Sequence, residues 1–170
     1  MRINSIETVL VDTVYTRKPS TGARQFFVYS DQEQYFIITN IWGTTASGKT
    51  RKMKLTIENI RDNKTLVYAM KDDYQDIKNA NVVQLSQLQL LDSDLLFKVI
   101  TEDLDRKNLE KYNRIVFDDF QYYCKDQNNF DFLMEIIEAN SIEEIFFLST
   151  PQISLGYNKR NQNLEFRWIV

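Results

Sequence analysis

Gly43-Thr44-Thr45-Ala46-Ser47-Gly48-Lys49-Thr50 is the stretch on which the reading of this chain turns. It satisfies G-x-x-x-x-G-K-[ST] at every constrained position, and each constrained residue has a chemical reason. The two glycines let the backbone curl so that successive N–H groups converge on phosphate oxygens. Lys49 would neutralise the β- and γ-phosphates of a nucleoside triphosphate, and the Thr50 hydroxyl would ligate Mg2+. A helix opening at Lys49 would add the positive end of its dipole. The chain has only 4 glycines, and two of them fall in this octet, so a glycine-rich composition did not produce the pattern.

The flanks suit the loop. Tyr35 to Trp42 is continuously apolar, as expected of a strand covered on both faces. After the loop, Met53, Ile57 and Ile60 fall at i, i+4 and i+7, one face of a helix starting at about Lys49. Further on, Thr65 to Met70 and Val82 to Leu85 read as strands. Asp94 to Leu109 reads as a helix, with Leu95, Leu96, Val99, Ile100 and Leu104 at helical spacing and Asp94 as its N-cap. Arg114 to Phe117 is a strand, and Phe130, Leu133, Met134 and Ile137 line a helix between about Asn128 and Asn140. Ile145 to Leu148 and Leu164 to Val170 close the series as strands. Upstream, Thr8 to Tyr15 and Gln25 to Tyr29 read as strands around a turn from Arg17 to Arg24 that carries Pro19 and Gly22. Strands alternating with helices predict an α/β fold, a three-layer P-loop NTPase with a mainly parallel central sheet. The expected organisation is a short β-rich N-terminal extension over 1–34 and an NTPase core over 35–170.

Hydrolysis needs more than a phosphate loop. Arg114-Ile115-Val116-Phe117-Asp118-Asp119 supplies a buried-looking strand ending in two carboxylates, at the edge where open α/β sheets bind ligands. Asp118 is expected to hold Mg2+ through water, and Asp119 to polarise the attacking water. Phe146-Phe147-Leu148-Ser149-Thr150 is expected to lie between the two motif-bearing strands, so that Ser149 or Thr150 senses the γ-phosphate. The expected reaction is in-line attack of water on that phosphate, with Mg2+ and Lys49 neutralising charge.

Composition removes other chemistries. The chain of 170 residues has no histidine, which excludes His-based triads and His-ligated metals. Its single cysteine, Cys124, excludes an internal disulfide and a Cys-cluster metal site. No apolar run reaches the roughly 20 residues a bilayer span needs, so no membrane partner is expected and the default location is cytoplasmic. A net charge of −3 gives no electrostatic case for unspecific nucleic-acid binding, despite the local basic run Lys49, Arg51, Lys52 and Lys54.

Asp118-Asp119-Phe120-Gln121-Tyr122-Tyr123, followed by an aromatic-rich helix and the strand ending Leu148-Ser149-Thr150, resembles the ATPase core of the bacterial replication initiator DnaA. It is also similar to that protein's AAA+ relatives, Hda and the helicase loaders. The resemblance spans about Ile37 to Thr150. It implies an ATP site at a subunit interface, with Lys49 and Thr50 on the phosphates and Mg2+ and Asp118 and Asp119 as the acid pair. Leu164-Glu165-Phe166-Arg167-Trp168 makes Arg167 the candidate arginine finger. Pro151 stands where the initiator has an acidic residue, and the chain stops at Val170, where the family's helical lid would begin. The implied function is an ATP-hydrolysing or ATP-switched accessory protein in bacterial or phage DNA replication, whose incomplete site borrows surface from a protein partner or from a second copy.

Three other readings stay open. One is a RecA-like helicase or DNA-packaging motor domain. Another is a nucleotide or nucleoside kinase, although thymidine kinases add a multi-Cys zinc site that one cysteine cannot build. The last is a non-hydrolysing interaction module, with Phe26, Phe27, Tyr29, Tyr122 and Tyr123 as a partner surface.

Overall fold

The computed structural model describes residues 8–10, 22–29, 35–43, 46–88, 92–150, 154–159 and 162–167, with side chains described for 37–43, 46–88 and 92–150. In chain order the elements are β1 (Thr8–Leu10), β2 (Gly22–Tyr29), β3 (Tyr35–Trp42), α1 (Lys49–Glu58), β4 (Thr65–Ala69), β5 (Asn81–Gln84), α2 (Ser93–Arg106), β6 (Arg114–Phe117), α3 (Gln127–Glu138), β7 (Glu144–Ser149), β8 (Ser154–Lys159) and β9 (Gln162–Arg167). Short 3-10 turns intervene, two of which matter below: Asp72–Tyr74 after β4 and Phe120–Tyr122 after β6.

Seven strands form one sheet in the order β1-β2-β3-β7-β6-β4-β5. The five from β3 to β5 are parallel, while β1 and β2 add antiparallel at the β3 edge. The expected α/β class and mainly parallel sheet are therefore present, and β7 lies between β3 and β6. The β-rich N-terminal stretch is continuous with the sheet, since β2 pairs with β3 from Gly22↔Trp42 to Tyr29↔Tyr35. That pairing draws Gly22 to Arg24 out of the predicted turn and into the strand. Of the strand expected over Thr8 to Tyr15, Thr8–Leu10 is found and the rest lies outside the described residues. At the other end, β9 covers part of the strand expected at Leu164 to Val170, but it pairs with β8 in a separate hairpin rather than joining the sheet.

Alternation along the buried strands builds two cores, one on each sheet face. On one face Ile38, Leu66, Tyr68, Ile115, Phe117, Ile145 and Phe147 pack against α2 and α3. On the other, Ile41, Val67, Ala69, Val116, Phe146 and Leu148 meet Met53 and Ile57 of α1. Helices thus cover both faces of the sheet.

The helices follow their apolar spacing, with instructive exceptions. The predicted face of α3 is wholly buried, and Asp126 caps that helix by accepting from the Asn129 N–H at 2.8 Å. In α2 the cap is Asp92, not Asp94, because the Asp92 carboxylate accepts from the Leu95 N–H at 2.9 Å. With that start, Leu96, Phe97, Ile100 and Leu104 face the sheet, while Leu95 and Val99, predicted on the buried face, are exposed. α2 ends at Arg106, short of the predicted Leu109. Ile60 falls beyond the end of α1, where the Asn79 side-chain amide donates to the carbonyls of Ile57 and Ile60. That amide satisfies acceptors the helix leaves open.

An aromatic cluster lies beneath the end of β6. Phe117 stacks between Tyr68 and Phe147, at centroid distances of 5.5 and 5.4 Å. Phe120 lies 4.6 Å from Phe147 and meets Tyr123 edge-on at 5.7 Å. The turn that leaves β6 with Asp118 and Asp119 is thereby clamped to the core. Tyr123, expected as part of a partner surface, is fully buried here, and its hydroxyl donates to the Asp118 carbonyl at 3.1 Å. Tyr122 is half exposed, and the side chains of Phe26, Phe27 and Tyr29 lie outside the described residues.

The C-terminal end of α3 carries a pH dependence. Burial, with Glu135 adding to it, pushes the Glu138 carboxyl up to about 7. The folded chain then holds that proton more tightly than the unfolded chain, so the stability present below the usual glutamate range is lost as pH rises through about 7. Glu138 is partly solvated, so a discounted contribution of about 1 kcal/mol is reasonable. Glu138→Gln should shrink the fall in Tm between about pH 5 and pH 8 by about 2–4 °C. Thermal melts of the two proteins across that range check it.

Candidate functional site

At the C-terminal ends of β3, β6 and β7 the chain leaves a cleft of about 600 Å³, the position where parallel sheets take ligands. The loop after β3 forms one wall. Gly43 starts it, its N–H donating to the Ser149 carbonyl at 3.2 Å, which ties the loop to β7. Ala46 and Gly48 both have left-handed backbones, at φ 61° and 90°. Such residues curl consecutive N–H groups into an anion-binding concavity, a conformation glycine adopts without strain. Gly48 then serves as the N-cap of α1 with no capping side chain, so the first N–H groups of the helix have no capping side chain among the described residues. Thr44 and Thr45, expected in the same cradle, lie outside the described residues.

Ser47, Lys49 and Thr50 bring their side chains to this wall. Ser47 borders the cleft, and its hydroxyl is buried with no hydrogen-bond partner among the described residues. Lys49 is 7% exposed, and its Nζ donates to the Gly43 carbonyl at 2.7 Å. Burial lowers its pKa, while the carboxylates of Asp119 and Asp118 work the other way. The basic run of the sequence is not one patch: Lys49 turns inward, and Lys54 pairs with Asp76 at 2.7 Å.

The opposite wall comes from the ends of β6 and β7. Asp118 is 3% exposed, and its Oδ2 accepts from Thr50 Oγ1 at 2.8 Å. Burial raises its pKa first of all, while hydrogen bonds from Tyr74 and Thr50 act in the opposite sense. Asp119 follows in a left-handed conformation at φ 51°, with its N–H on Asp118 Oδ1 at 2.8 Å. Aspartate tolerates that backbone better than most residues, and the bend sends the Asp119 side chain to the cleft. Of the two sensor candidates, Thr150 lines the cleft, its N–H donating to Gln121 Oε1 at 3.3 Å. Ser149 is fully buried and, by alternation with Phe147, belongs to the α2–α3 side of the sheet.

Lys49, Thr50, Asp118, Asp119 and Thr150 are thus brought together, while Ser149 is not. Arg167 lies in β9, and its side chain is outside the described residues. Three contributors had no role assigned from sequence: Gln121, Lys71 and Tyr74. Gln121 was visible in the acid motif. The other two sit after β4, and a run of Lys71-Asp72-Asp73-Tyr74 reads as an ordinary solvated turn.

The chemistry of these groups suits a Mg2+-bound polyphosphate. A buried hydroxyl donor without a partner is what a phosphate oxygen satisfies. The Thr50 hydroxyl donates its proton to Asp118 and keeps lone pairs for a cation. Among the described residues no group of three or more acidic or cysteine side chains clusters as a metal cage. Mg2+ needs none, since it takes one or two protein ligands together with waters and phosphate oxygens. Nor, among the described residues, is any helix long and apolar enough to cross a membrane. The chain matches no family model, and no curated protein or solved structure is similar enough to count as a match.

Proposed function

We propose that this chain is a P-loop nucleoside triphosphatase that binds Mg·ATP in the cleft between residues 43–50 and the ends of β6 and β7. One observation carries the reading. Thr50 and Asp118, 68 residues apart and singled out by two unrelated motifs, meet in a 2.8 Å hydrogen bond. A solvated turn and a strand capped by exposed acids would have no reason to meet.

In this reading the loop N–H groups and the Ser47 hydroxyl hold phosphate oxygens, and Lys49 leaves the Gly43 carbonyl for the β- and γ-phosphates. Thr50 and Asp118 would hold Mg2+, which when bound would withdraw charge from the phosphates. Asp119 accepts a hydrogen bond from the attacking water and orients it, and Thr150 faces the terminal phosphate. Together with the DnaA-like order of these motifs, this favours an AAA+-type, ATP-switched accessory role in DNA replication, completed by a partner protein or a second copy.

The Asp119 role is testable without disturbing the fold. Asparagine accepts the left-handed backbone as readily as aspartate, so Asp119→Asn removes only the charge. Phosphate release from Mg·ATP should fall about 10²–10³-fold while nucleotide affinity changes little. Equal turnover by both proteins would remove Asp119 from the mechanism. Strong stimulation of phosphate release by single-stranded DNA would shift the assignment to a nucleic-acid motor.

A further inference from the structure

The turn after β4 forms a wall of the cleft that no sequence motif marks. Tyr74 is 1% exposed, and its hydroxyl donates to Asp118 Oδ2 at 2.6 Å, the oxygen that also accepts from Thr50. Burial and the facing Asp118 carboxylate push the Tyr74 phenol well above its ordinary range, so it remains a donor. The Ile77 N–H closes the turn behind it on the Tyr74 carbonyl at 3.2 Å. The segment leaving β4 is therefore pinned to the acid that faces Thr50.

Lys71 stands at the start of this pinned segment, in extended backbone, and its side chain lines the cleft. Among the described residues no carboxylate forms an ion pair with it, whereas Lys54, on the same cleft, is tied to Asp76. Lys49 borders the same cleft. Two ammonium groups that repel across a cleft are relieved when an anion binds between them. Arg51 also borders the cleft, but it belongs to α1 and not to the turn that Tyr74 pins.

We propose that Lys71 is a contact for the terminal phosphate supplied by this same chain, held in place by the Tyr74–Asp118 hydrogen bond, and that it lets the site tell a nucleoside triphosphate from a diphosphate. The inference rests on the nucleotide-binding reading above. Asp73, exposed on the same turn, offsets part of the positive potential, so a modest effect is expected.

Calorimetric titration of Mg·ATP and Mg·ADP into wild type, Lys71→Ala, Lys71→Arg and Tyr74→Phe tests it. Lys71 is exposed, so its replacement leaves the core intact. Lys71→Ala should lose about tenfold in affinity for Mg·ATP and less than about twofold for Mg·ADP, with Lys71→Arg restoring most of the difference. Tyr74→Phe should lose part of the same discrimination, because the turn has lost its anchor. Lys98→Ala, a surface lysine on α2, should match wild type. An unchanged ATP-to-ADP affinity ratio in Lys71→Ala, with wild type binding Mg·ATP, overturns this inference alone. Wild type that binds neither nucleotide overturns the underlying reading and this inference with it.

Discussion

Lys49→Ala is expected to erase the rise in melting temperature that Mg·ATP should give the wild-type protein. Nucleotide at 100 times its Kd stabilises a fold by about 2.7 kcal/mol, which in a chain of this size corresponds to about 5–11 °C. The variant should show no shift at the same concentration, because in the proposed site the buried ammonium answers the β- and γ-phosphates. Its melting temperature without nucleotide should stay close to wild type. Lys49 makes a 2.7 Å hydrogen bond to Gly43, but burial disfavours its charged form, so the lost hydrogen bond and the relieved burial penalty offset. Differential scanning fluorimetry with and without Mg·ATP reads both quantities. A preserved shift would place the phosphates elsewhere.

Phe120→Ala should destabilise the fold by about 3–5 kcal/mol, the usual consequence of emptying a large buried aromatic site. Phe120 has no exposed surface and touches Phe117, Tyr123, Phe130 and Phe147. Phe120→Leu keeps most of the volume and should lose much less. Denaturant midpoints distinguish the two. The side chain also sits directly after Asp119, so the nucleotide-induced shift should shrink in Phe120→Ala along with stability. A surface aromatic, the role considered for its neighbours Tyr122 and Tyr123, would show neither effect.

The legible parts of the fold were those written as local periodicity. β3 and β6 have the ends their apolar runs suggest, and α3 buries the four residues its 3.6-residue spacing selects. The start of α1 was legible because the glycine loop dictates it. Where two registers compete, local pattern misleads. Leu95 and Val99 look as apolar as Leu96 and Ile100, and only the cap at Asp92 together with Phe97 decides which side meets the sheet. The β8–β9 hairpin lacks the strong alternation that would have announced it. In the site, the loop and acid pair were readable because both are written as particular residue types at fixed spacing within short stretches. Tyr74 was not, since its bond to Asp118 spans 44 residues and exists only once β4 and β6 pair. Ser149 and Thr150 were indistinguishable until strand alternation assigned one to the core and the other to the cleft.

Calorimetric titration of ATP into the wild-type protein, with Mg2+ and again with EDTA, tests most directly whether the cleft binds a Mg2+–nucleoside triphosphate. One nucleotide per chain, bound in the presence of Mg2+ and at least about tenfold more weakly in EDTA, is the predicted result. Absence of binding under both conditions, or binding indifferent to Mg2+, would contradict the joint role assigned to Thr50 and Asp118.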